Sequence, residues 1–217
     1  MNGRQSTSFL TGLVVAMLAT FVSGPAVAEP FLAGQHYEEI TPTVPTEGDG
    51  IEVVELFFYG CSHCYAFEEA LGAWAARQPA DVSFRRLPAA LNEVWAAAAR
   101  AFYVAEFLGV SDRAHPALFA AFHRDHLRLR KAEDFRPVFE AIGVSGQDFD
   151  GALASFAMEG KIRQAAEAAR AYGITGVPAM IVAGKYRTSA TQAGSQEDML
   201  RVVDMLIERE RAARQAP

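Results

Sequence analysis

The chain has 217 residues, 51% of them apolar, with 20 basic and 26 acidic side chains and a formal charge of −6 at pH 7. That length supports one sizeable core, or one domain carrying an insertion, and the composition is too apolar for a disordered chain. The acidic balance argues against a nucleic-acid partner.

At the amino terminus, Arg4 precedes an apolar run from Phe9 to Val22, and Ala26-Val27-Ala28 has the small-x-small form of a cleavage site. The run has 14 residues, where a membrane-spanning helix needs about 20. Residues 1–28 are therefore expected to be a cleaved secretory signal peptide. Removing them takes away Arg4 and leaves 19 basic against 26 acidic residues, so the exported chain is more acidic still.

Glu29 to Gly50 reads as a lead-in, with a short edge strand at His36 to Ile40 and a loop marked by Pro42, Pro45, Gly48 and Gly50. Ile51 to Phe58 is apolar on both faces, Ile51, Val53 and Phe57 on one and Val54, Leu56 and Phe58 on the other. This is the pattern of a strand inside a covered sheet. Gly60 permits a turn, and from Cys61 the periodicity is helical as far as Pro79. Val82 to Leu87 is a second strand, so the unit is βαβ and its two strands are expected to be parallel.

Helices follow. Asn92 is placed to cap one running to Leu108, and a second spans Asp112 or Arg113 to His126. A third spans Ala132 to Ile142, Ser145 with Asp148 opens a fourth, and Met158 to Tyr172 is a fifth. Strand signals return at Ala179 to Val182 and Tyr186 to Thr188 around a turn at Ala183-Gly184. A last amphipathic helix begins near Ser195. The order is βαβ, a helical block, then ββα. A thioredoxin-like α/β fold with an all-helical domain inserted has this order, with residues 29–90 and 166–217 as the discontinuous platform and 91–165 as the insertion.

Only two cysteines are present, Cys61 and Cys64. An exported protein meets oxidising conditions, but a bridge between these two closes almost no loop and stabilises little. Its value must be chemical. Cys61 falls at a helix start, where unpaired amides and the helix dipole favour a thiolate, and Cys64 falls one turn inside. His63, between them, can stabilise that thiolate by charge or hydrogen bonding. A zinc site completed by His123 and His126 is disfavoured, because their spacing is one residue short of the usual range. Glu55 is a charge within the apolar strand, six residues before Cys61, and needs a raised pKa or a partner such as Arg86. His36, His115 and the basic run Arg124 to Lys131 read as solvated surface without chemistry.

The run Val53 to Glu68, with Gly176-Val177-Pro178-Ala179-Met180 and Gly184-Lys185-Tyr186, resembles the DsbA family of periplasmic thiol oxidases. The likeness spans essentially the whole mature chain. It implies that Cys61 is the exposed nucleophilic sulfur, that Pro178 is cis and faces the dithiol, and that Val177 lies where oxidases carry valine and isomerases threonine. It further implies that Glu55 lies beneath the dithiol as a proton relay for Cys64. The family usually has proline where this chain has Ser62, which adds a backbone donor and loosens the turn. The implied activity is donation of a disulfide to exported proteins with free cysteines, by a periplasmic monomer without metal or organic cofactor. A DsbB-like, quinone-linked inner-membrane oxidase would reoxidise it. An isomerase of the usual sort needs an amino-terminal dimerisation domain, and Glu29 to Gly50 is too short for one. A peptide binder with incidental thiols would keep its activity after both cysteines were replaced.

Overall fold

The computed structural model describes Met1 and residues 31–215, so the rest of the expected signal peptide lies outside the described residues. Four elements come first: β1 (Glu38–Glu39), β2 (Ile51–Phe57), α1 (Ser62–Ala76) and β3 (Val82–Pro88). β2 and β3 pair in parallel, as the βαβ reading requires. β4 (Ala179–Val182) then lies antiparallel to β2, β5 (Tyr186–Ser189) antiparallel to β4, and β1 closes the edge, giving the order β1-β5-β4-β2-β3. Every residue of β2 is buried, because the strand is central and both faces are covered. The register sets Glu55 beside Arg86 on one neighbour and Met180 on the other.

Two apolar clusters divide the core along the sheet. On one face Ile51 and Val53 meet Phe67, Leu71 and Trp74 of α1 and Met199, Val203 and Leu206 of α8 (Gln196–Gln215). Trp74 is fully buried, and its indole N–H donates to Asp204 at 2.7 Å, fixing α1 against α8. On the other face Val54 and Leu56 belong to a cluster that continues into the helical block. Phe57 was expected with Ile51 and Val53 but joins this second cluster. Phe102 and Phe119 close over that end of the strand, with ring centroids 5.8 and 6.0 Å away.

The helical block comprises α2 (Glu93–Phe107), α3 (Ser111–His123), a 3₁₀ turn (Ala132–Phe135), α4 (Arg136–Ala141), α5 (Gly146–Leu153) and α6 (Phe156–Ala171). Asn92 caps α2 by accepting from Trp95 N–H at 3.0 Å, and Ser145 caps α5 by accepting from Asp148 N–H at 3.1 Å. α3 stops three residues short of the expected His126, which adopts φ 52 in the turn that follows. The expected helix from Ala132 to Ile142 is broken in two because Pro137, in the first turn of α4, has no N–H to continue the ladder. A short helix, α7 (Ala190–Ala193), precedes α8 and had no sequence signal of its own. α6 is continuous through residues 165 and 166. Among the described residues no helix is long and apolar enough to cross a membrane.

Candidate active site

The turn out of β2 is set by a close approach rather than by an unusual backbone angle. A Cβ on Gly60 would stand 2.6 and 2.7 Å from two carbons of the Phe58 ring, so only glycine fits beneath it. Cys61 N–H then donates to Phe58 O at 2.9 Å, and Cys61 becomes the N-cap of α1 with an extended backbone. Its Sγ accepts from Cys64 N–H at 3.4 Å, the position an N-cap oxygen usually fills. Cys61 is partly exposed and Cys64 fully buried, and both are free thiols in this structure.

The two sulfurs are electrostatically unlike. Donation from the Cys64 thiol, then from the backbone amides of Cys64 and His63, and last the His63 charge, pull the Cys61 thiol down to about 6 against the cost of its burial. The Cys64 thiol is pushed up, because it donates to Cys61, is desolvated, and faces the negative charges of Cys61 and Glu55. A thiolate therefore forms at Cys61 and not at Cys64.

Across from Cys61, the Val177–Pro178 peptide is cis, and Cys61 Sγ donates to Val177 O at 3.4 Å. A cavity of about 600 Å³ opens beside the cis peptide, with His63, Ile174, Gly176, Val177, Pro178 and Gln196 in its wall. His63 is exposed there, its carbonyl held by Gln196 Nε2 at 2.7 Å. Ser62 is also exposed.

Beneath the dithiol lies a buried charge cluster. Glu55 is wholly inaccessible, and burial, with the like charge of Glu68, raises its pKa to about 8 against the pull of Arg86. Arg86 Nε is ion-paired with Glu55 Oε2 at 3.2 Å without an aligned hydrogen bond, and both Glu55 oxygens, like Glu68 Oε1, lack a hydrogen-bond partner among the described residues. Arg86 Nη2 donates instead to Glu68 Oε2 at 3.0 Å. His115 Nε2 meets the same oxygen at 2.9 Å, and His115 Nδ1 is hydrogen-bonded to Tyr59 Oη at 3.0 Å. The surface reading of His115 is thus corrected: its side chain is only 16% exposed and is built into the cluster. His123 also turns inward, meeting Tyr59 O at 2.8 Å and stacking on Tyr65, whereas Arg124, Arg128, Arg130 and Lys131 are exposed as expected.

Sequence reasoning paired Glu55 with Arg86 but missed Tyr59, Glu68 and His115. Glu68, four residues after Cys64 on α1, had a usable signal, since that spacing shares a helix face. His115 and Tyr59 lie 56 residues apart and had none.

A profile of the DSBA-like thioredoxin domain matches residues 81–202. The thiol:disulfide interchange protein DsbA of Pseudomonas aeruginosa is 42% identical over 204 residues, 93% of this chain and 97% of that protein. The chain belongs to the DsbA family. The crystal structure of P. aeruginosa DsbA superposes with a TM-score of 0.83, covering 87% of this chain and 99% of that one at 42% identity. A DsbA variant of Proteus mirabilis, solved with a non-covalently bound peptide PWATCDS, superposes at 0.67 with 27% identity, over 83% and 100%. The thioredoxin-like fold with its helical insertion is therefore the DsbA fold, and the chain is a thiol:disulfide oxidoreductase acting on protein cysteines.

Proposed function

We propose that the disulfide form of this protein donates its Cys61–Cys64 bond to newly exported proteins in the periplasm. The observation that carries this reading is the division of the sulfurs, one partly exposed and held at about 6, the other buried and pushed up. A substrate thiolate attacks Cys61 Sγ, the S–S electron pair leaves on Cys64, and Cys64 takes up a proton. A second substrate thiolate then attacks the substrate sulfur of the mixed disulfide and expels Cys61 as a thiolate. The substrate loses two electrons to the enzyme disulfide, which becomes the dithiol, and no metal or organic cofactor is required.

In this reading the cavity beside Val177 and Pro178 holds the substrate's extended segment, as expected where backbone pairs with a bound strand. The peptide on the Proteus mirabilis relative contains a cysteine, in keeping with a protein substrate. Val177 governs how long the mixed disulfide persists, and His63 supports the leaving Cys61 thiolate. Ser62 has a small effect because the amide it adds relative to proline and the backbone freedom it adds oppose each other. Glu55 supplies the proton that Cys64 takes up. Residues 29–90 and 166–217 act as the platform and 91–165 as the inserted block, the seam crossing α6. The enzyme works as a monomer and is reoxidised by a DsbB-like, quinone-linked inner-membrane partner.

Replacing Cys64 by alanine removes the sulfur that could resolve the adduct from the enzyme's side. Cys64→Ala expressed with its native leader is expected to accumulate adducts that dithiothreitol releases, formed when its Cys61 thiolate attacks disulfides already present in exported proteins and expels one substrate thiolate, while Cys61→Ala accumulates none. Adducts forming equally on a Cys61→Ala enzyme that keeps Cys64 would contradict the assignment of the nucleophilic sulfur.

A further inference from the structure

A second cavity, of about 380 Å³, lies among β3, α2 and α3, and shares no wall residue with the one beside the cis peptide. Tyr59, Arg86 and His115 stand in its wall, so the charge cluster beneath the dithiol reaches an opening away from the substrate groove. Three carboxylate oxygens in that cluster, both of Glu55 and Oε1 of Glu68, are buried without a hydrogen-bond partner among the described residues. Oxygens so placed take a proton between them or are bridged by water, since bare charge is costly there.

We propose that His115 exchanges the proton of this cluster with solvent through the second cavity, replenishing Glu55 while a bound substrate covers the groove. The inference rests on the disulfide-donor reading above. When Cys64 leaves as a thiolate it takes a proton from Glu55. Glu55 recovers one by way of Glu68, and Glu68 receives its own from His115 Nε2, with which it is in contact at 2.9 Å. The ring is then reprotonated from the cavity. No electrons move in these steps, and one solvent proton enters for each one taken by Cys64.

The surroundings of His115 suit this cycle. Tyr59, whose pKa is raised by burial, remains a hydroxyl, able to donate to Nδ1 of the neutral ring and accept from it when protonated. The charged groups facing the ring and its cavity are Glu68 from α1, Arg85 and Arg86 from β3, Glu106 from α2 and Asp112 from α3. The carboxylates among them offset the two guanidinium groups, so an imidazolium there is not isolated against positive charge. The edges of the Phe57 and Phe119 rings pack on the imidazole and hold it in place.

The test is a single-turnover measurement, with a pH-indicator dye, of the rate of proton uptake from solvent as the disulfide form makes its mixed disulfide with a cysteine peptide, across pH, for the parent, His115→Ala and His115→Gln. Glutamine preserves a hydrogen-bonding side chain of similar reach but cannot carry the proton. Both variants are expected to be slower by about tenfold to a hundredfold, as for loss of a positioned proton-transfer group. Imidazole in the medium is expected to restore His115→Ala, whose enlarged cavity admits it. Parent-like rates in His115→Gln, or no recovery of a folded His115→Ala with imidazole, would overturn the proposal. Failure of the parent itself to oxidise the peptide would instead overturn the disulfide-donor reading.

Discussion

The dithiol form is expected to become more stable than the disulfide form as pH rises from 6 to 9. The Cys61 thiol is held at about 6 against an ordinary 9.0, so the folded state releases this proton more readily than the unfolded chain does. Its contribution is fully present above 9, fades as pH falls, and is gone below 6. The lowering corresponds to about 4 kcal/mol, which screening of a partly exposed sulfur reduces to about 2 kcal/mol. Cys64 opposes this only as pH nears 9, where the unfolded thiol begins to ionise while the folded one, pushed up, stays protonated. The disulfide form has no thiolate, and its short bridge constrains little of the unfolded chain. Urea titrations of both forms at several pH values check this, and a gap between them that fails to widen from pH 6 to 9 would contradict it.

Glu55→Leu should stabilise the disulfide form at pH 8 by about 1–4 kcal/mol, because leucine removes the cost of holding a buried carboxyl protonated up to about 8 while Arg86 keeps Glu68 as its partner. Here the sign is opposite to that of Cys61. The carboxyl titrates at about 8 when folded and 4.5 when free, so the folded state holds its proton more tightly. Its stabilising contribution is complete below 4.5 and is lost as pH climbs through 8. Leucine removes that loss and leaves Arg86 with Glu68, its hydrogen-bonded partner at 3.0 Å. At pH 5 the variant and parent should differ little. A parent whose stability is flat from pH 4.5 to 8, or a variant less stable than the parent at pH 8, would show that Glu55 is not held in its neutral form.

These two groups also mark what could be read from the chain alone. The run from Ile51 to Cys64 carries its own instructions: a doubly apolar strand, a turn, then a helix capped by the residue that bears the reactive sulfur. Local pattern therefore located β2, α1 and the dithiol, and a charge inside β2 identified Glu55 as needing Arg86, while the second buried charge there, Glu52, pairs with Arg85. The Gly60 requirement was visible but its cause was not, because the obstacle is the Phe58 ring in space. The break at Pro137 was legible in principle and was overridden by the apolar periodicity around it. His115 was illegible for a deeper reason. Its partners, Glu68 and Tyr59, come from α1 and the turn before it, and only the docking of α3 brings them together. Sequence spacing carries no record of such a contact.

The central claim is that stabilisation of the Cys61 thiolate makes the disulfide a strong donor. Equilibration of the protein with glutathione buffers at pH 7, alongside His63→Ala and Ser62→Pro, tests it most directly. About 2 kcal/mol of thiolate stabilisation corresponds to about 40 mV for a two-electron couple, and the parent should be more oxidising than dithiols poised at about −200 to −230 mV. His63→Ala should make it more reducing while sparing the share owed to backbone amides, and Ser62→Pro should move it less. A parent potential near the −270 mV typical of thioredoxin-type reductants, or a larger shift from Ser62→Pro than from His63→Ala, would contradict the account.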